Sequence, residues 1–191
     1  MGNPILILIT GAPGTGKTTL GKNLSEKFCL PLINKDGIKE SLFDSLGIGD
    51  SSWSHKLSVA SYALLFYVAE SLIRAGDSLI VEGNFRPDYD SEAFHKLQKK
   101  YALKSLQIYC DTKVDILAER YRERSESGTR HPGHLDTLVA QNFERDMSRG
   151  RYKPLKIEGD PIYLDTTDFS KIDYDGLYLR IQGLINSSLK K

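Results

Sequence analysis

Cysteine, methionine and tryptophan are scarce in this chain, with two, two and one among 191 residues. Two thiols build no disulfide framework, and Cys29 and Cys110 have no neighbours at metal-ligand spacing, so both read as reduced core thiols. An excess of charge of either sign is also missing: 26 Lys and Arg face 25 Asp and Glu, for a net charge of +1. That balance excludes a general electrostatic pull toward nucleic acid or an anionic membrane, and any basic patch must be local. Internal repeats, low-complexity tracts and long Gly/Ser linkers are absent. The opening MGNPILILIT has neither the basic segment nor the long apolar segment of a secretory signal, and Leu6 spoils a myristoylation pattern, so the expectation is a cytoplasmic protein. The most apolar stretch, Leu57 to Ile73, is broken by Glu70 and three serines. It reads as a helix packed on a sheet through Leu57, Ala60, Leu64, Val68 and Leu72, and no membrane partner is expected.

What is present is a regular alternation. With 40% hydrophobic residues, a chain of this length supports one core, so residues 1–191 are expected to form a single domain. Short apolar runs at Ile5–Thr10, Leu30–Asn34, Ser78–Glu82, Leu103–Cys110 and Pro161–Asp165 read as strands. Helical patterns fill Lys17–Phe28, Gly37–Leu46, Trp53–Ala75, Tyr89–Tyr101, Val114–Ser125, Leu135–Met147 and Tyr174–Leu189. The first run, ILILI, does not alternate with polar residues, as expected of a strand covered on both faces. The pattern predicts a three-layer α/β fold with right-handed crossovers. The least regular part, Ser125 to Asp136, holds two glycines, a proline, two histidines and an arginine, and reads either as a surface loop or as a lid.

Gly11-Ala12-Pro13-Gly14-Thr15-Gly16-Lys17-Thr18 fits G-x-x-x-x-G-K-[ST] at every fixed position, between a predicted strand and a predicted helix. Glycines let the backbone wrap an anion, its N–H groups and the helix N-terminus face phosphate oxygens, Lys17 reaches the β/γ-phosphates, and the Thr18 hydroxyl is placed for Mg²⁺. Gly11 through Thr19 are therefore the expected ATP-binding residues. A phosphate cradle does not choose between switch, motor and kinase. The guanine-reading N-K-x-D is missing, since Asn34-Lys35-Asp36 lacks the spacer and follows the second strand. The third strand ends in the single acid Glu82 rather than a motor's acidic pair.

Asp36, just past the second strand, could receive the proton of an acceptor hydroxyl or simply cap a helix. Lys39, one turn on, is a candidate contact for an anionic acceptor or a solvated lysine. Glu82 is the second candidate for Mg²⁺, directly or through water. The turn Gly83-Asn84-Phe85-Arg86-Pro87 puts an amide, an aromatic ring and the Arg86 guanidinium beside the same cleft, a purely structural turn being an equal reading for Asn84 and Phe85. Arg120 and Arg124, at i and i+4, share a helix face leading into the irregular segment, so a lid over approximately residues 120–136 would bring these two over the nucleotide, with Arg130 on the substrate side. His131 and His134 lack a third ligand for a metal. Thr166 and Thr167 follow the last strand, where the chain could wrap adenine.

Together the phosphate loop, Asp36-x-x-Lys39, the acid-ended third strand and Arg120-x-x-x-Arg124 resemble the small P-loop kinases often described as AAA-type ATP-binding proteins. Polynucleotide 5′-kinases, chloramphenicol phosphotransferase, zeta toxins and gluconate kinases belong to that neighbourhood. The resemblance implies a five-stranded parallel sheet in the order 2-3-1-4-5, a helical lid, and transfer of the γ-phosphate of ATP, with Mg²⁺, to a hydroxyl. By the same resemblance, Asp36 activates the acceptor and Arg120 and Arg124 are lid arginines. From the residues themselves, Lys17 completes the expected catalytic set, and Asp36, Lys39, Arg86 and Arg130 are expected on the substrate side. The polynucleotide-kinase branch of that neighbourhood usually has arginine where this chain has Lys39, and a guanidinium fork suits an acceptor phosphate better than an ammonium. A small-molecule acceptor is thus favoured over a nucleic-acid end, nucleotide or polynucleotide kinase and acceptor-free ATPase being the alternatives. A monomer or homodimer is expected.

Overall fold

The computed structural model describes residues 3–128, 130–134, 145–147 and 149–189. The helix expected over Leu135–Met147 lies outside them except for its last three residues, which are helical, and the end of the expected lid, Leu135 and Asp136, is outside too.

The chain runs β1 (Ile5–Gly11), α1 (Lys17–Phe28), β2 (Leu32–Asn34), α2 (Lys35–Leu46), α3 (Ser51–Ala75), β3 (Leu79–Glu82), α4 (Pro87–Tyr101), β4 (Lys104–Asp111), α5 (Val114–Glu126) and β5 (Ile162–Asp165). A 3-10 turn at Phe169–Lys171 then leads to α6 (Tyr174–Leu189). The strands form one parallel sheet in the order β2-β3-β1-β4-β5, as the family resemblance implies. The uninterrupted apolar run in β1 follows from its place at the centre. Leu6 and Leu8 point to the layer of α3 and α4, among Leu65, Ala69, Phe85 and Phe94, while Ile5, Ile7 and Ile9 point to the layer of α1 and α6, among Leu20, Leu24 and Ile181. Every residue of β1 is buried, and full burial of each such side chain stabilises the fold by roughly 1.5–3 kcal/mol.

The helix starts differ from expectation for identifiable reasons. α2 begins at Lys35 rather than Gly37, because the Asn34 side chain caps it, accepting from the Gly37 N–H at 2.5 Å. Asp36 lies inside the first turn and is not the cap. α4 begins at Pro87, whose missing N–H costs nothing at a helix's first position. α3 is capped by Asp50, which accepts from the Trp53 N–H at 2.8 Å. Its buried stripe is Leu57, Ser61, Leu65, Ala69 and Ile73, whereas the expected Leu64 and Val68 are 41% and 40% exposed. Two of the buried positions, Ser61 and Ala69, carry small side chains, and a stripe counted from the largest apolar residues misses them. α3 is long and apolar enough, by length and composition, to cross a membrane, yet Leu65, Ala69 and Ile73 of this stripe pack into the sheet core.

Cys29 is a second correction. It is exposed, at the left-handed C-cap of α1 with φ 53°. Cys110 is buried as expected, and burial pushes its thiol up to about 12.

Because all five strands are parallel, Gly11, Asn34, Glu82, Asp111 and Asp165 finish at one edge of the sheet. In open α/β sheets that edge is where ligands bind.

Candidate active site

The loop between β1 and α1 has backbone that only glycine tolerates at two critical places. Gly11 has φ +139°, and a Cβ there would stand 2.3 Å from the Cys110 carbonyl oxygen; Gly16 has φ +80°, and a Cβ there would stand 2.5 Å from the Phe169 ring. Thr15 steadies the loop by donating from its hydroxyl to the Ala12 carbonyl at 2.9 Å. Lys17 opens α1, is buried, and turns its Nζ back to donate to Ala12 O at 2.6 Å and Thr15 Oγ1 at 3.4 Å. Burial lowers its pKa against the opposing pull of Glu82. An ammonium so placed, hydrogen-bonded to neutral oxygens of its own loop, is ready to exchange those bonds for phosphate oxygens.

Glu82 ends β3 opposite Ile9 of β1, which sets it beside this loop. Its carboxylate accepts from Thr18 Oγ1 at 3.1 Å and from the Asn34 side-chain amide. Burial raises its pKa, with Lys17 opposing. The two groups expected to meet Mg²⁺ are thus in contact with each other. A cavity of about 520 Å³ opens over them, lined by Gly14, Gly16, Lys17, Thr18, Thr19 and the lid arginines among others.

Asp36 lies between two cations, its Oδ1 3.3 Å from Lys35 Nζ and its Oδ2 3.6 Å from Arg130. Burial alone would raise its pKa, but Lys35, His134 and Arg130 outweigh it and hold the carboxyl at about 2. His134 is itself brought down to about 3 by burial and by Arg130. It is neutral at physiological pH, where Lys35 and Arg130 alone hold Asp36 ionised.

A second cavity, of about 480 Å³, lies on the far side of Asp36, against α3 and Arg86. Pro13, Asp36, Asn84 and Arg130 line both cavities, so the two meet at Asp36. Asn84 presents a buried Oδ1 with no hydrogen-bond partner among the described residues at that junction. Lys39 is buried on the wall of the second cavity, where its Nζ donates to Ser54 Oγ at 2.9 Å. Phe85, from the same turn as Arg86, is not in the cleft: it is 1% exposed and packs edge-on against Phe94.

The arginines of the lid divide. Arg124 and Arg130 line the phosphate-side cavity, with the Arg124 guanidinium 5.1 Å from the Tyr121 ring. Arg120 lines it too, but donates to the carbonyls of Thr166 and Thr167, each at 2.9 Å, and stacks 4.1 Å from the Phe169 ring. Its guanidinium therefore belongs to the end of the cleft formed after β5, beside a smaller apolar cavity lined by Leu164, Phe169, Ile172 and Tyr174. The two lid histidines fold down onto α2. His131 pairs with Asp44 at 3.1 Å and stacks on Phe43 at 5.4 Å, His134 pairs with Glu40 at 2.9 Å, and Gly133 sits flat against the Phe43 ring. Among the described residues, no group of three or more His, Cys, Asp and Glu could hold a metal ion.

Sequence reasoning missed four participants. Asn34 carried a signal, an asparagine directly before a helical run, while Lys35, Phe169 and Ser54 carried none, since each reaches the site through packing alone.

A parallel 2-3-1-4-5 sheet with a glycine loop wrapping the start of α1 defines the P-loop kinase fold. Residues 6–149 match a family model described as an AAA domain, and the chain belongs to that family. A candidate kinase from Chloroflexus aurantiacus is 35% identical, with a TM-score of 0.85 over 98% of this chain and 99% of that one. Proteins of Mycobacterium bovis and Mycobacterium tuberculosis are 28% identical over 127 residues, a match that takes in 63% of this chain and 26% of theirs. This chain thus covers about a quarter of the length of those relatives. A cytidylate kinase of Methanococcoides burtonii is 23% identical over 79% of this chain and 78% of its own. The fold is also shared with a Mycobacterium tuberculosis APS kinase solved with AMPPNP and APS, at 14% identity and a TM-score of 0.55 over 97% of this chain and 99% of that one.

Proposed function

We propose that this chain is a kinase that moves the γ-phosphoryl group of ATP to a hydroxyl of a small-molecule acceptor, with Mg²⁺. The observation that carries this reading is the meeting of two cavities at Asp36: one lies over the phosphate loop, and the other is large enough for a second substrate. A switch or an acceptor-free ATPase needs the first cavity only.

The oxygen donors at the loop fit a hard divalent cation. Thr18 and Glu82 would hold it, and with fewer than three protein ligands among the described residues it would complete its shell with phosphate oxygens and water. Bound there, Mg²⁺ would offset charge on the β- and γ-phosphates. Lys17 would leave Ala12 O for a phosphate oxygen, and Arg124 and Arg130 would face the transferring group from the lid. Asp36, ionised across the whole physiological range, would accept the hydrogen bond of the acceptor hydroxyl and aim its oxygen at the γ-phosphorus. A carboxylate held at about 2 is a weak base, so the proton passes to it, or through it to water, only as the new bond forms. The acceptor oxygen bonds to phosphorus, the bridging bond to the β-phosphate breaks, and ADP leaves. Arg120 and Phe169 would border the base.

The test is ADP release with ATP and Mg²⁺, in the presence and absence of pooled hydroxyl metabolites. Release that depends on acceptor, and falls sharply in Asp36→Asn while ATP still binds, supports the reading. ADP formed at one rate with or without acceptor, and equally by Asp36→Asn, refutes it.

A further inference from the structure

The turn after β3 carries an amide with an unused end. Among the described residues, the buried side-chain oxygens without a hydrogen-bond partner are those of Thr10, Asn84 and Ser105. Of these three residues only Asn84 lines either large cavity, and it lines both. Buried polar atoms of a folded chain are nearly always paired, so an orphan at a cavity wall points to a ligand group that completes it. Asn34, at the end of the neighbouring strand, is the contrast: its oxygen caps α2 and its nitrogen holds Glu82, so both ends of that amide are engaged inside the fold.

The main chain at Asn84 is fixed from several directions. Before it, the Gly83 N–H donates to the Ile9 carbonyl at 3.2 Å; after it, the Phe85 ring is buried edge-on against Phe94. The Tyr62 hydroxyl donates to the Asn84 backbone carbonyl at 3.2 Å, and the Tyr62 ring lies 6.1 Å from that of Phe85. β1, α3 and α4 thus hold this position, while the Asn84 side chain makes no hydrogen bond to the described residues. An acceptor oxygen held in that way is preorganised for a donor brought from outside.

Its place narrows what that donor is. Asp36 lines the same two cavities at their meeting, and in the phosphotransfer reading it takes the reacting hydroxyl. A group on the same bound molecule that reaches Asn84 therefore stands close to that hydroxyl. It must also carry a hydrogen to give, O–H or N–H, because an amide oxygen only accepts.

We propose that Asn84 is an acceptor-binding residue and that the acceptor is a vicinal diol or amino alcohol. One hydroxyl meets Asp36, and the hydroxyl or amine on the adjacent carbon donates to Asn84 Oδ1. This rests on the phosphotransfer reading and narrows it. The first oxygen bonds to the γ-phosphorus, the bond to the bridging oxygen breaks with its electrons leaving on ADP, and the proton passes to Asp36 or through it to water; the second group keeps its hydrogen. Asp36 alone would accept any alcohol, whereas the paired contact selects which of two neighbouring groups faces the phosphorus. A simple alcohol forgoes the bond to Asn84.

Periodate cleaves the carbon–carbon bond of vicinal diols and amino alcohols and spares isolated alcohols, which makes it a direct probe. A small-molecule extract is treated with periodate, or with iodate as control, and the excess is reduced with sulfite. Each is then offered to the full chain with ATP and Mg²⁺ while ADP release is read. Stimulation is expected with the untreated and iodate-treated extracts, and its loss with the periodate-treated one. In a titration with untreated extract, Asn84→Ala is expected to raise the amount needed for half-maximal release about three- to tenfold, leaving the ATP KM and the Mg²⁺ requirement unchanged. Its Tm should stay within about 2 °C of wild type, since no hydrogen bond of the fold is deleted. Stimulation that survives periodate, or a titration indifferent to Asn84→Ala, overturns the proposal while leaving the kinase reading intact. So does a variant with a larger fall in Tm, a raised ATP KM or a raised Mg²⁺ requirement, which would place the amide in the fold or on the donor side. No stimulation by the untreated extract overturns the transfer reading itself, and the proposal with it.

Discussion

Replacing Asp36 by Asn removes one charge from between Lys35 and Arg130 at nearly constant shape, and its consequences can be worked out in sign and size. The carboxyl is held at about 2 against an ordinary 3.8, and a group so depressed stabilises the folded state at every pH above its unfolded value. Each pH unit of that difference is worth about 1.4 kcal/mol, which gives at most about 2 kcal/mol at pH 7. His134 is neutral there and contributes nothing, so the true figure falls below that bound. For a chain of this size the expected loss in Tm is about 3–8 °C. The difference between wild type and variant should persist from pH 8 to pH 5 and shrink as pH falls from about 4 to 2, where the native carboxyl also protonates. Thermal unfolding followed by circular dichroism across that range is the assay, at low and at high salt. A variant more stable than wild type at pH 7 would show that Asp36 is strained rather than held by its neighbours. A difference that grew on acidification would refute the sign of the argument.

Other substitutions separate the remaining parts of the site. Glu82 has its pKa raised by burial, so its ionised form costs stability at neutral pH; Glu82→Gln should raise Tm at pH 7 without Mg²⁺ while increasing the Mg²⁺ needed for half-maximal ADP release about tenfold. Arg120→Ala deletes two bonds to carbonyls and the stack on Phe169, and should cost about 2 kcal/mol by urea unfolding and raise the ATP KM more than the acceptor KM. In Gly133→Ala the new Cβ would stand 2.4 Å from the Phe43 ring. Overpacking of about 1–3 kcal/mol should then appear as faster amide exchange at residues 130–134 with β1 unaffected.

The parts of this molecule legible in its sequence are those whose chemistry is local. A glycine loop before a lysine, an apolar run without alternation, and an acid directly after a strand each declare a backbone state within a few residues. Gly11 to Thr18, β1, Asp36 and Glu82 lie where such signals put them. The strand order could be stated because a family resemblance supplied it, not because any residue of β2 or β3 names its neighbour. What was illegible depends on distant packing. The inward face of α3 was misjudged because its buried positions include the small Ser61 and Ala69, while the bulkier Leu64 and Val68 are exposed. Phe85 looked like a cleft residue and proved to be core, since Phe94, one helix away, receives it. Arg120 was expected over the phosphates, but its fork is taken by two carbonyls that follow β5, 46 and 47 residues along the chain. The second cavity draws on the phosphate loop, α2, α3, the turn after β3, α5 and residues beyond it, and no spacing rule gathers those positions.

The Asn34 side chain caps α2 with its oxygen and holds Glu82 with its nitrogen, so the helix that carries Asp36 and Lys39 is pinned to the carboxylate beside the phosphate loop. Any drift in α2 is transmitted to Glu82, and any shift of Glu82 tilts Asp36. A lineage changing its acceptor through this connection would damage its grip on the donor at the same step. Freedom to diversify lies on the opposite wall, in Ser51, Ser54, Ser58 and Arg86, where side chains can be exchanged without moving the pin.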